Sequence, residues 1–128
     1  MTNREIYDAA LALLAENIDG VDGCDDYERR APAILSMLFC ECREDDRFYR
    51  MAHGKTAEFS DDFSADLDDE CPLDDRFLSI GAYYLAAMLT EAEDAELSDC
   101  LFARYADALV KIREDLPAGV ESIRDIYD

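Results

Sequence analysis

The chain is expected to fold as an all-α protein. The architecture expected is a small helical bundle of about four helices, with a long acidic loop between the second and third and a short C-terminal arm. Three observations point there. Apolar residues recur at three- and four-residue spacing through four separate segments, the mark of helices that bury one face. No run alternates apolar and polar residues long enough to make a strand. One stretch, Pro72–Thr90, runs from Phe77 to Leu89 without a single charge. A helix apolar over most of its circumference belongs at the centre of a bundle, and this one is too short to cross a bilayer, which takes about 20 apolar residues.

The 128 residues fit one domain, 1–128, with helices at about 3–18, 26–51, 74–91 and 95–114, a loop at 53–73 and the arm at 115–128. A chain of this length can bury roughly two thirds of its unfolded surface, so it needs no staples. The first helix opens on Thr2-Asn-Arg-Glu5, a capping box in which the side chains of residues 2 and 5 satisfy each other's backbone N–H groups. Ile6, Ala10, Leu13, Leu14 and Ile18 give its apolar face, and Asp19-Gly-Val-Asp-Gly23 ends it with turn-forming residues.

Asp25-Asp-Tyr-Glu28 starts the second helix, whose inward face reads Tyr27, Ala31, Ile34, Leu35, Leu38, Phe39, Cys42 and Tyr49. Pro32 clashes with the carbonyl four residues earlier, so either a kink or a separate first turn is expected. Arg43-Glu-Asp-Asp-Arg-Phe-Tyr-Arg50 is mostly charged, and this end is expected to project past the core. His53-Gly54 breaks the helix. In the loop that follows, eight of the fifteen residues from Asp61 to Asp75 are acidic. Phe59, Phe63 and Leu67 recur every four residues. That spacing suits either a short amphipathic turn resting on the bundle or a segment ordered by a partner. Loops this long are uncommon unless functional or mobile.

The central helix starts with Asp74 and Asp75, favoured at a helix N-terminus. Its Phe77, Ile80, Tyr84 and Met88 form one row, with Leu78, Gly81, Leu85 and Leu89 beside it. Gly81, Tyr83 and Tyr84 are expected to pack on the second and fourth helices. Thr90-Glu-Ala-Glu93 reads as a capping box, with Asp94 the alternative cap; without Gly or Pro there, one continuous helix stays open. The last helix carries Leu97, Leu101, Tyr105, Ala108, Leu109 and Ile112 on one face, and Leu116-Pro-Ala-Gly119 ends it. In the arm, Val120, Ile123 and Ile126 stand three apart, next to Tyr127. The arm suits one pair of helical turns packed back, or a reach to a neighbour.

Charge excludes more than it assigns. The formal net charge is −20, from 32 acidic and 12 basic residues. No basic run exists along the chain, and from Thr56 to Asp75 there is no basic residue at all, so direct sequence-specific nucleic-acid binding is not expected. Five cysteines, at 24, 40, 42, 71 and 100, with no apolar leader before them, suit a reducing cytoplasm. Cys40-Glu-Cys42 points its thiols about 200° apart on a helix, so it is no metal pair. Cys40, Cys42 and Cys100 are expected to be small buried hydrophobes. His53, the single histidine, suits a helix C-terminus. Di-iron bundles need Glu three residues before His, where Arg50 stands. No phosphate loop and no calcium loop in register occurs. No enzyme, no cofactor and no metal is expected.

Asp26-Tyr-Glu-Arg-Arg-Ala-Pro-Ala-Ile-Leu35, Asp69-Glu-Cys-Pro-Leu-Asp-Asp-Arg-Phe-Leu78 leading into Ala82-Tyr-Tyr-Leu-Ala-Ala-Met-Leu89, and Glu96-Leu-Ser-Asp-Cys-Leu-Phe-Ala-Arg-Tyr105 carry a resemblance over residues 25–113. Together they resemble the head–tail connector, or adaptor, proteins of tailed bacteriophages and prophages. The resemblance implies a structural, non-catalytic helical subunit that docks at the portal vertex and forms a ring around the DNA channel. Portal and tail-completion proteins would be its partners. It would stand in the host cytoplasm and then in the virion, with no membrane contact. By position, the elements that would dock are the loop around Phe59, Phe63 and Leu67 and the arm with Val120, Ile123, Ile126 and Tyr127. The extreme acidity leaves open how like-charged subunits would close a ring. The alternative expectation is an acidic protein-binding module, a DNA mimic or an inhibitor of a DNA-acting protein.

Overall fold

The computed structural model describes residues 1–17, 25–55 and 63–114. Four helices make an all-α bundle: α1 (Asn3–Asn17), α2 (Asp25–Ala52), α3 (Leu78–Thr90) and α4 (Ala95–Glu114). A single 3₁₀ turn, Asp75–Phe77, leads into α3. Among the described residues the only strand-like feature is an isolated antiparallel bridge between Thr2 and Glu70.

α3 is the centre, as its apolar composition requires. It packs chiefly on α4 and α1 and also on α2. Ile80, Leu85, Ala86, Ala87 and Leu89 are fully buried. Gly81 lets two neighbours approach. A Cβ there would lie 3.0 Å from Ile6 Cγ2 and 3.3 Å from Leu38 Cδ2, so α1 and α2 both close on α3 where it has no side chain. Tyr84 turns to α4, with its ring 5.1 Å from that of Tyr105 and 6.1 Å from that of Phe102.

The caps explain the helix ends. Glu5 N–H donates to Thr2 Oγ1 and Thr2 N–H donates to Glu5 Oε2, the reciprocal box. α1's next orphan donors go to the loop: Asn3 N–H to Asp69 O at 3.0 Å and Arg4 N–H to Leu67 O at 2.7 Å. At α4 the cap is Asp94, whose Oδ1 accepts from Leu97 N–H at 3.0 Å. Thr90 is no cap. It ends α3, fully buried, and its hydroxyl has no hydrogen-bond partner. The turn at 91–93 separates α3 from α4, which excludes one continuous helix.

Two expectations need correction, and one alternative falls. Of the kink and the separate first turn expected at Pro32, the separate turn does not form, because α2 runs through Pro32 as one helix. The amide that Pro32 lacks would have bonded the carbonyl of exposed Glu28, so the loss falls on the solvent side. The charged end of α2 does not project past the core. Asp45 and Asp46 are buried there because each has a distant partner. Arg113 of α4 donates to both Asp45 oxygens, at 2.9 and 3.1 Å. Asp46 Oδ1 accepts from Asp74 N–H at 2.8 Å and from Arg50. Finally, only Cys42 of the three thiols taken as core is buried. Cys40 and Cys100 are exposed, and Cys71 is half-buried.

The described part of the loop is strapped to the bundle. Asn3, fully buried, donates from Nδ2 to Ser64 O and Asp66 O. Arg50 reaches Pro72 O at 2.9 Å, and Lys55 reaches Asp74 at 2.9 Å. Leu67 and Leu73 enter the core beside Phe77.

Candidate functional site

The residues singled out from sequence as docking elements divide sharply. Leu67 is buried, 6 % exposed, in the chain's own core. Phe63 is half-buried and meets Phe39 edge-on, with ring centroids 5.4 Å apart. Both therefore rest on the bundle, though 63–66 has no helical turn. Phe59, Val120, Ile123, Ile126 and Tyr127 lie outside the described residues.

One surface feature that the sequence reading missed lies on the outer face of α3. Arg76, Ser79 and Tyr83, before the 91–93 turn, lie across from Arg104, Ala108 and Lys111 of α4. The result is a cleft of about 340 Å³ lined by these six side chains and Asp107. On the other flank of the same α3 face lies an apolar groove of about 240 Å³. Ala9 and Leu13 of α1 and Leu78 and Ala82 of α3 line it. Ser79 and Tyr83 belong to both, so the two form one surface, basic on the α4 side and apolar on the α1 side.

The charge of the cleft is unusual for this chain. Three cations face one carboxylate, a local balance of +2 within a net charge of −20. Among the described residues six other cations are paired. Arg4 pairs with Asp68 and Glu28, Arg29 and Arg30 with Asp26, Arg50 with Asp46, Lys55 with Asp74, and Arg113 with Asp45. Among the described residues, Arg104 and Lys111 form no ion pair and no hydrogen bond, despite Asp107 between them. No basic run exists along the chain, yet a basic cluster exists in space.

Beneath the α2–α4 seam lies a polar network that suits structure rather than chemistry. The Tyr105 hydroxyl donates to Glu41 Oε1 at 2.9 Å and lies 3.8 Å from Cys42 Sγ. Burial pushes the Cys42 thiol up to about 12 and raises the Tyr105 phenol well above its ordinary range. Burial likewise lifts Cys71 to about 11. A thiol held protonated is a poor nucleophile. His53 is exposed beyond the end of α2, where its ring lies tilted against that of Tyr49, centroids 4.3 Å apart. Among the described residues no three His, Cys, Asp or Glu side chains converge as a metal site. No helix there is long and apolar enough to cross a membrane.

No protein-family model, no curated protein and no solved structure matches the chain.

Proposed function

We propose that the chain is a non-catalytic, protein-binding subunit of a phage or prophage head–tail connector, docking at the portal vertex and joining a ring around the DNA channel. The sequence resemblance over residues 25–113 suggests the class. The observation that carries the reading further is the cleft between α3 and α4. A ring of identical subunits needs two different, complementary patches on each copy. A chain of net charge −20 lacks the cationic patch unless cations are gathered in one place. Arg76, Arg104 and Lys111 gather them. The exposed carboxylates Asp66, Asp68, Asp69 and Glu70 supply the opposite sign on another part of the surface.

The test is to mix the purified chain with portal protein and image the mixture by negative-stain electron microscopy. Decorated portal rings are expected. Arg104→Glu with Lys111→Glu should abolish decoration, and undecorated portal at high chain concentration would overturn the reading. The exposed carboxylates at 66–70 favour a second reading, an acidic module that captures a basic, DNA-acting protein. That reading predicts tight, salt-sensitive capture of such a protein with Arg104→Glu and Lys111→Glu having no effect.

A further inference from the structure

We propose that the surface along α3 binds a soluble phosphate monoester of an aliphatic alcohol, with the phosphate in the cleft and the carbon chain in the apolar groove. The inference goes beyond the connector reading and does not rest on it. Three observations carry it. The first is a set of unused donors. Among the described residues of this chain of net charge −20, Arg104 and Lys111 pair with no carboxylate, and the hydroxyls of Ser79 and Tyr83 make no hydrogen bond. All four line one cleft. Arg76 of the same cleft already has a partner and is left out of the set. Arg104, Ala108 and Lys111 stand at i, i+4 and i+7, one stripe of α4. The small residue between two long cations leaves room for a group that both can reach. Two positive charges and two hydroxyls suit the near-double negative charge and three acceptor oxygens of a monoester phosphate. A carboxylate brings half that charge. Asp107, one turn from each cation, pairs with neither, and its charge opposes any anion held there.

The second is continuity. Ser79 and Tyr83 line both the cleft and the groove. A ligand whose head takes their hydroxyls therefore passes its next atoms to Leu13, Leu78 and Ala82. Apart from those two hydroxyls, the groove side chains are aliphatic, so the body of the ligand must be apolar. A sugar or nucleoside would set its polar groups against these walls without partners. The third is the sign of the rest of the surface. With 32 acidic residues against 12 basic, the chain is repelled by an anionic bilayer. That favours a soluble ester over a phosphate headgroup embedded in a membrane.

Amide NMR titrations of the full chain with monomeric octyl phosphate, butyl phosphate and octanol test this. Octyl phosphate should shift the amides of Ser79, Ala82, Tyr83, Arg104 and Lys111 saturably. It should bind about tenfold tighter than butyl phosphate, because its extra CH₂ groups enter the groove. Arg104→Gln with Lys111→Met should weaken octyl phosphate about tenfold. Asp107→Asn, which removes the opposing charge, should tighten it about threefold. Leu78→Ser should shrink the advantage of octyl over butyl phosphate. Amides of α2 report whether each variant keeps the bundle. No saturable shift in the unaltered chain would overturn the proposal. So would octanol binding as tightly as octyl phosphate, or affinity untouched by both the cation and the Asp107 variants in a folded chain. Phosphatidic acid vesicles test the other source of the headgroup, and no cosedimentation is expected. Cosedimentation lost in Arg104→Gln with Lys111→Met would assign the site to a membrane surface and overturn the soluble-ester form. Portal decoration can fail while octyl phosphate binding stands, and the reverse, so the two readings fail separately.

Discussion

At the scale of single residues, two buried positions separate charge from packing. Asp46 is fully buried on α2, held by Asp74 N–H and Arg50. Burial raises its carboxyl above the ordinary aspartate range, and those two partners offset only part of that. Asp46→Ala leaves a buried N–H and a largely buried guanidinium without their acceptor and should cost about 3 kcal/mol. Asp46→Asn keeps an acceptor for Asp74 and should cost about 1 kcal/mol. The pH dependence has a definite sign. A carboxyl whose folded value lies above its unfolded value binds more protons folded than unfolded within that window. The stability Asp46 contributes therefore falls as pH rises from the ordinary aspartate range through the raised value. Urea titrations across pH 3–7 should show the unaltered chain losing stability relative to Asp46→Asn over that window; a flat difference would refute the assignment. Gly81 tests packing. Ala there gains about 1 kcal/mol of helix propensity but places a methyl 3.0 and 3.2 Å from two Ile6 carbons and 3.3 Å from Leu38. Both neighbours are fully buried and have little room to shift. Gly81→Ala should thus lower stability by about 1 kcal/mol, and Ile6→Val, which removes one of the two crowding carbons, should recover part of it. A double-mutant cycle in urea reads that coupling.

At the scale of elements, the four helices were readable because each buries a long apolar row that local spacing exposes, as with Tyr27 to Cys42 on α2 and the charge-free stretch of α3. The charged end of α2 was not. Asp45 and Asp46 look like solvent-facing residues until their partners are known, and those stand at Arg113 and Asp74, far away in sequence. The α3 surface was hidden for the same reason. Arg76, Arg104 and Lys111 have no shared motif. Their meeting follows only from the tight 91–93 turn, which sequence left undecided between a turn and a continuous helix. The 63–74 strap shows the same dependence. Its anchor is Asn3, whose side chain and main chain hold Ser64, Asp66 and Asp69. Nothing in Thr2-Asn-Arg-Glu5 marks that residue as more than part of a cap. Asn3→Ala removes two part-buried hydrogen bonds and should cost about 2 kcal/mol. The loss should be local, seen as hydrogen exchange accelerating in residues 64–71 well before α3 responds. Uniform acceleration across the bundle would show instead that the strap and core open together.

At the scale of the whole molecule, the question is whether ion pairs or self-repulsion governs stability. The net charge is −20 on a domain whose radius of gyration should be about 14 Å. At 0.01 M salt the screening length is about 30 Å, so every carboxylate feels the others. Most ion pairs here involve at least one well-exposed partner and are worth about 1 kcal/mol or less each. The most enclosed pair, Asp46 with Arg50, is short and shielded from salt. Repulsion acts over long distances and is screened first, so added salt should stabilise the bundle. Raising NaCl from 0.01 to 0.5 M should raise Tm by several degrees in calorimetry. A fall in Tm with salt would mean that ion pairs outweigh repulsion across the bundle.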